Sequence, residues 1–119
     1  GSIGYVGRLH YSQNMSAVSS ACMLVKASAF WEAGGFDEDN TVVYNDVDFC
    51  LRIRTAGYLI VWTPYAELYH YEPKRHPKEN LHLQEEVAFF RKRWARELAA
   101  GDPYYNPNFT LDRVDFTLR

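Results

Sequence analysis

The chain has 119 residues, about one ordinary domain, and at 47% hydrophobic and 24% charged it holds the material for a core, which excludes an intrinsically disordered segment. A count of 13 basic against 15 acidic residues leaves a formal net charge of -2 and no basic footprint, which sets nucleic-acid partners aside. No apolar run reaches the roughly 20 residues that span a bilayer, no secretory signal is visible, and Cys22 and Cys50 sit in apolar segments without a Cys-x-x-Cys pair; reduced, cytosolic thiols are expected, not a disulfide framework or zinc knuckle.

Gly1-Ser2 reads as an expression scar, and with no initiator methionine beside it the chain is expected to be an excerpt of a longer one. Residues 3–16 mix Gly, Tyr, Arg, His, Ser and Asn without a period and are expected to be irregular. Residues 17–26 (AVSSACMLVK) form a nearly continuous apolar run of strand length and predict a buried central strand. Ser28 is expected to cap a short helix over 29–33 that stops at Gly34-Gly35, where a glycine takes the positive φ that ends a helix. After a polar loop over 36–44, Asn45 predicts a helix to residue 55: Asn is a favoured N-cap, and Asp48 three residues on closes a capping box. Gly57 ends that helix. Residues 58–63 (YLIVWT), β-branched and aromatic between Gly57 and Pro64, predict a buried strand. Residues 67–72 (ELYHYE) alternate and predict a short strand with Leu68, His70 and Glu72 on one face. Beyond a surface connection over 73–80, Leu83, Val87, Phe90, Trp94 and Leu98 recur as one helical stripe, which predicts a long amphipathic helix over 81–100 ended by Gly101 and Pro103. Residues 104–119 form an irregular tail expected to wrap over another surface. With 9 Tyr, 7 Phe and 3 Trp the aromatic content is 16%, which serves core and interface first and ring-stacking on a ligand second.

The chemistry concentrates in Gly34-Gly35-Phe36-Asp37-Glu38 and in Tyr44-Asn45-Asp46-Val47-Asp48-Phe49-Cys50-Leu51-Arg52. These segments put Asp46 and Asp48 in the first turn of a helix behind a glycine-rich, acidic loop. Acidic side chains there complement the helix dipole, each by about 0.3–1 kcal/mol, so spacing alone leaves both a structural and a functional role open.

The two segments, continuing through residue 72, resemble the second half of the family 2 glycosyltransferase domain. In that family a Gly-Gly-Phe-Asp loop precedes an acidic helix start, usually Glu-Asp-x-Asp-Leu, then a strand, a proline turn and a short strand bearing a histidine. The flanks SQNMSAVSSACMLVK and DPYYNPNFTLDRVDF resemble bacterial cell-surface polysaccharide transferases of the rhamnan or O-antigen type. The resemblance implies an α/β fold: the C-terminal, acceptor-side portion of a GT-A domain, a mixed sheet with flanking helices, over residues 3–103. It implies an inverting, metal-dependent transfer of a sugar from a nucleotide-diphosphate donor to a glycan or lipid-linked acceptor.

By position, the resemblance makes Asp46 the catalytic base that takes the acceptor hydroxyl proton. Asp48 would orient the acceptor or the helix start, Asp37 would contact the acceptor or simply make a turn, and Arg52 would face a phosphate or remain a surface charge. His70 would be a ligand to a divalent metal, Mn or Mg, at the donor diphosphate. Asn45 stands where the family commonly has Glu, removing a charge beside the base. The resemblance places the family's nucleotide-binding strands and donor-side Asp-x-Asp motif N-terminal to the segments present here, so the donor pocket is expected to lie outside this chain and the chain to be inactive alone. Arg93-Trp94 is similar to the end of the Gln-x-x-Arg-Trp motif of processive synthases, but Phe90 holds the Gln position, so Trp94 is read as core. A cytoplasmic location is implied, with peripheral attachment to the inner membrane face as an alternative. Two other readings stand: a non-catalytic carbohydrate-binding or assembly module using Tyr65, Tyr69, Tyr71 and the tail tyrosines, and a structural unit whose strand edges pair with a second copy.

Overall fold

The computed structural model describes residues 4–38, 43–71, 83–113 and 116–118. Two helices and a short ribbon of sheet make the core. Helix α1 (Ala27–Glu32) buries Ala29, and helix α2 (Asn45–Thr55) buries Asp48, Phe49, Cys50 and Ile53. Ala29, Phe49 and Ile53 meet, and Met23, Val25, Phe30, Tyr58 and Ile60 pack around them. Helix α1 begins after Lys26, two residues ahead of the expected start, and has no side-chain cap, so Ser28 does not play the capping role expected of it. It stops where the sequence requires: Gly34 and Gly35 both have positive φ, and the Gly35 N–H returns to the Phe30 carbonyl at 2.9 Å. A Cβ at Gly35 would lie 3.2 Å from the Phe30 ring, so both the backbone and the packing call for glycine.

Helix α2 has the expected extent, but its entry differs. The residue before it is Tyr44, held in the left-handed region at φ 60 and ψ 21, and no side chain caps the helix. The expected capping box is not formed, because the Asp48 carboxylate is taken by three other donors, described below. The exit is a glycine turn in which Gly57 and Tyr58 donate to the carbonyls of Arg54 and Ile53.

The sheet consists of β1 (Gln13–Met15) and β2 (Ile60–Trp62), antiparallel, with Gln13 opposite Trp62 and Met15 opposite Ile60. Strand β2 is the middle of the run predicted at 58–63. Its partner comes from the segment expected to be irregular. Residues 17–26 do not form the central strand expected of them. Ser20–Cys22 make a 3-10 turn capped by the Ser19 hydroxyl, and the stretch that follows turns Met23 and Val25 inward while leaving Leu24 fully exposed. Its pattern is that of an extended segment, but no described strand lies beside it to complete a ladder. Residues 66–71 likewise carry no strand pairing, and Glu72 lies outside the described residues.

The expected long helix is two: α3 (Leu83–Arg93) and α4 (Ala95–Ala100), parted at Trp94, whose ψ of 23 leaves the helical range. The buried part of the stripe is Phe90 and Trp94, while Leu98 is half exposed. The tail folds back on the start of the chain. Tyr5 stacks on Phe116 and meets Phe109 edge-on, Arg8 lies over Phe116, and its Nη2 donates to the Tyr104 carbonyl. No helix of the described residues is long and apolar enough to cross a membrane.

Candidate functional site

The first turn of α2 carries two carboxylates that face different surroundings, as positions two apart on a helix must. Asp46 is half-buried and looks toward the Ser19–Ala21 turn. Its Oδ2 accepts from the Ser20 N–H at 3.2 Å and its Oδ1 from the Val47 N–H at 2.8 Å. Two backbone donors thus fix the plane of the carboxylate, while each oxygen keeps capacity for a further hydrogen bond.

Asp48 is completely buried. Its Oδ2 accepts from Arg52 Nε at 3.0 Å, one turn along the same helix. Its Oδ1 accepts from Trp94 Nε1 at 2.8 Å and from Arg93 Nη1 at 3.1 Å. A buried carboxylate needs this many donors, because an unpaired charge at that depth is strongly unfavourable. Arg93 Nη1 also donates to Asp37 Oδ2 at 2.9 Å, which ties the Gly34–Glu38 loop to α3. Burial pulls the Arg93 guanidinium down, but its hydrogen bonds to Asp37 and Asp48 outweigh that and hold its pKa above the ordinary arginine value.

Arg52 reaches the other way as well. Its Nη1 donates to the Ala33 carbonyl, its guanidinium lies over the Phe49 ring, and its buried Nη2 has no partner among the described residues. Gly34, Phe36, Asp37, Glu38, Arg52 and Arg93 line an open cleft of about 490 Å3. Three of the predicted site residues are therefore gathered on one side of α2, Asp37 and Asp48 by Arg93 and Arg52 by Asp48. Asp46 faces the Ser19–Ala21 turn, where Cys50 lies close by with its Sγ directed at the Val18 carbonyl.

His70 sits on the exposed stretch 66–71. No group of three or more His, Cys, Asp or Glu able to hold a metal ion is found among the described residues. His70 is chemically suited to Mn, but the described residues do not by themselves make a divalent-metal site.

Arg93 and Trp94 were not singled out by the sequence for this contact. The helical stripe reports that the indole is buried but not that its N–H must find an acceptor; a buried Trp near a buried Asp is the signal that points to the pair.

A family profile described as Glycosyl transferase family group 2 matches residues 5–105. The chain is 44% identical over 121 residues to a protein of Sinorhizobium fredii described as uncharacterized, covering 97% of this chain and 13% of that one. It is 34% identical over 118 residues to the O-antigen biosynthesis protein RfbC of Myxococcus xanthus, covering 95% of this chain and 9% of that one. Over 55 residues it is 44% identical to the N-acetylglucosaminyl-diphospho-decaprenol L-rhamnosyltransferase of Mycobacterium tuberculosis, covering 46% of this chain and 18% of that one. The chain thus spans less than a fifth of the length of each of these relatives. No solved structure matches it significantly. With a profile match that takes in the Gly34–Glu38 loop, both carboxylates of α2 and the Arg93-Trp94 pair, the chain belongs to Glycosyl transferase family group 2.

Proposed function

We propose that this chain is the acceptor-side part of a GT-A nucleotide-sugar transferase, with Asp46 as the general base of an inverting transfer. The observation that carries the reading is the state of Asp46: a half-buried carboxylate at a helix start, oriented by the Ser20 and Val47 N–H groups and still able to accept a proton. In the reaction the acceptor hydroxyl oxygen attacks the anomeric carbon of the donor sugar as its proton passes to Asp46. The bond from that carbon to the diphosphate oxygen breaks, and the nucleoside diphosphate departs with the electron pair. A single displacement inverts the anomeric centre.

The cleft beside the Gly34–Glu38 loop lies across α2 from Asp46, so it suits a part of the acceptor glycan remote from the reacting hydroxyl and not that hydroxyl itself. Its walls combine a partly exposed Phe36 ring with the Asp37, Glu38 and Arg52 side chains. Rings and paired polar groups are what a polyhydroxylated ligand requires. The names of the relatives favour a cell-envelope glycan, with deoxyhexosyl transfer to a lipid-linked acceptor as a precedent. The donor-binding half would come from sequence outside residues 1–119, and the exposed Leu24, Leu59 and Val61 offer it an apolar surface. A divalent metal at the donor diphosphate would supply charge neutralisation, with His70 as one ligand among others from that half.

Transfer by the full-length protein, scanned over nucleotide sugars with and without Mn and compared with Asp46→Asn, tests the reading. A second reading, a carbohydrate-binding or assembly module, is favoured by Tyr65, Tyr69 and Tyr71, which are 81%, 93% and 88% exposed. It requires saccharide binding that Asp46→Asn leaves unchanged.

A further inference from the structure

We infer that one face of α3 is a brace that sets the position of Asp46, with Arg93 and Trp94 as its positioning residues acting through the buried Asp48. The inference rests on the reading of Asp46 as the base. Three successive turns of α3 meet the entry of α2. Glu86 Oε2 accepts from the Val43 N–H at 2.9 Å, the Phe90 ring packs against the Tyr44 ring at 5.3 Å, and Arg93 and Trp94 both donate to Asp48 Oδ1. Residues 86, 90, 93 and 94 follow the spacing of a single helical stripe, so the contacts belong to one face.

What that face holds is a strained corner. Tyr44 is a bulky residue in the left-handed region, a conformation that persists only where the surroundings over-determine it. No side chain caps α2, so the direction in which its first turn leaves the corner is set by these outside contacts. Asp46 is the second residue of that turn. Its own side-chain partners, the Ser20 and Val47 N–H groups, fix the plane of the carboxylate, whereas the brace on Asp48 fixes the backbone that carries it. The break between α3 and α4 falls at Trp94, the residue whose indole makes the contact. Neither Arg93 nor Trp94 hydrogen-bonds to Asp46, so their action on the base runs through the helix backbone.

The test uses the full-length protein and the variants Trp94→Phe, Arg93→Met and Arg93→Lys, with two independent readouts. In transfer assays Trp94→Phe and Arg93→Met both lower kcat on the order of 100-fold, and Trp94→Phe, which lies outside the cleft, does so with KM changed less than about twofold, because a base displaced by about 1 Å loses the reaction and not the substrate. Arg93→Lys recovers much of the rate, since one cationic nitrogen faces both Asp37 and Asp48. In hydrogen exchange, which needs no substrate, Trp94→Phe speeds exchange at the amides of Asp48 to Cys50 in α2 and leaves the β1–β2 amides unchanged. Unaltered exchange in α2 overturns the inference even where Asp46→Asn abolishes transfer. Exchange raised equally in β1–β2 also overturns it, since Trp94 would then support the whole fold and not the turn. Active Asp46→Asn protein would instead defeat the underlying reading, whatever the exchange shows.

Discussion

Trp94 donates its indole N–H to Asp48 Oδ1 at 2.8 Å, joining the break between α3 and α4 to the first turn of α2 across 46 residues of sequence. The bond is buried, and it shares its acceptor oxygen with Arg93, so Asp48 is the point at which α2, α3 and the Gly34–Glu38 loop are held together. Removing Asp48 orphans the indole and weakens the hold on two guanidinium groups at once.

Asp48→Ala is therefore expected to destabilise the protein by about 3–5 kcal/mol, the range for breaking a buried ionic contact by deleting one partner. Asp48→Asn, which keeps the shape and one acceptor oxygen, costs less. Urea denaturation monitored by tryptophan fluorescence measures both, and a midpoint for Asp48→Ala equal to that of the parent would contradict the buried network.

Gly35→Ala is expected to lose about 1–2 kcal/mol, because φ at Gly35 is 66 and an L-residue there meets the left-handed penalty. The added methyl also sits 3.2 Å from the Phe30 ring, which is itself packed on Phe36 and Phe49 and has little room to yield. The same denaturation experiment decides the point.

The two cysteines should react in sequence. Burial pushes the Cys50 thiol up, reinforced by the nearby Asp46, whereas Cys22 is exposed. Iodoacetamide at mildly alkaline pH is expected to modify Cys22 in the folded protein and Cys50 only on unfolding, as read by peptide mass spectrometry. The folded thiol holds its proton to higher pH than the unfolded one. Its contribution to stability is complete below the ordinary thiol range and is lost as pH rises through the raised value. Cys50→Ala should flatten that alkaline loss.

Much of the local structure was legible in the sequence. The glycine pair predicted the end of α1, the run 45–55 predicted α2, and the β-branched stretch before Pro64 predicted β2. Each of these signals is local: a φ that only glycine accepts, a stop at Gly57, a residue type that fits a pleat. What failed depended on partners. Residues 17–26 are apolar enough for a central strand, yet composition is silent on whether another strand lies alongside, and the ladder went to Gln13–Met15 instead. The single long helix was read from a stripe that continues through Trp94, while the hydrogen bond that accompanies the break is a long-range contact that periodicity does not see. For the site, the sequence and its family resemblance named Asp37, Asp46, Asp48 and Arg52 but gave no sign that α2 divides them, with three on the Arg93 side and Asp46 facing Ser20.

The most direct measurement is sugar transfer by the full-length protein and by its Asp46→Asn variant, each shown by circular dichroism to be folded. Asparagine keeps the size of the side chain and cannot accept the proton, so kcat is expected to fall by at least about 100-fold with the fold intact. Transfer at the parent rate by the folded Asp46→Asn protein would contradict the assignment of the base and move the chemistry away from the start of α2.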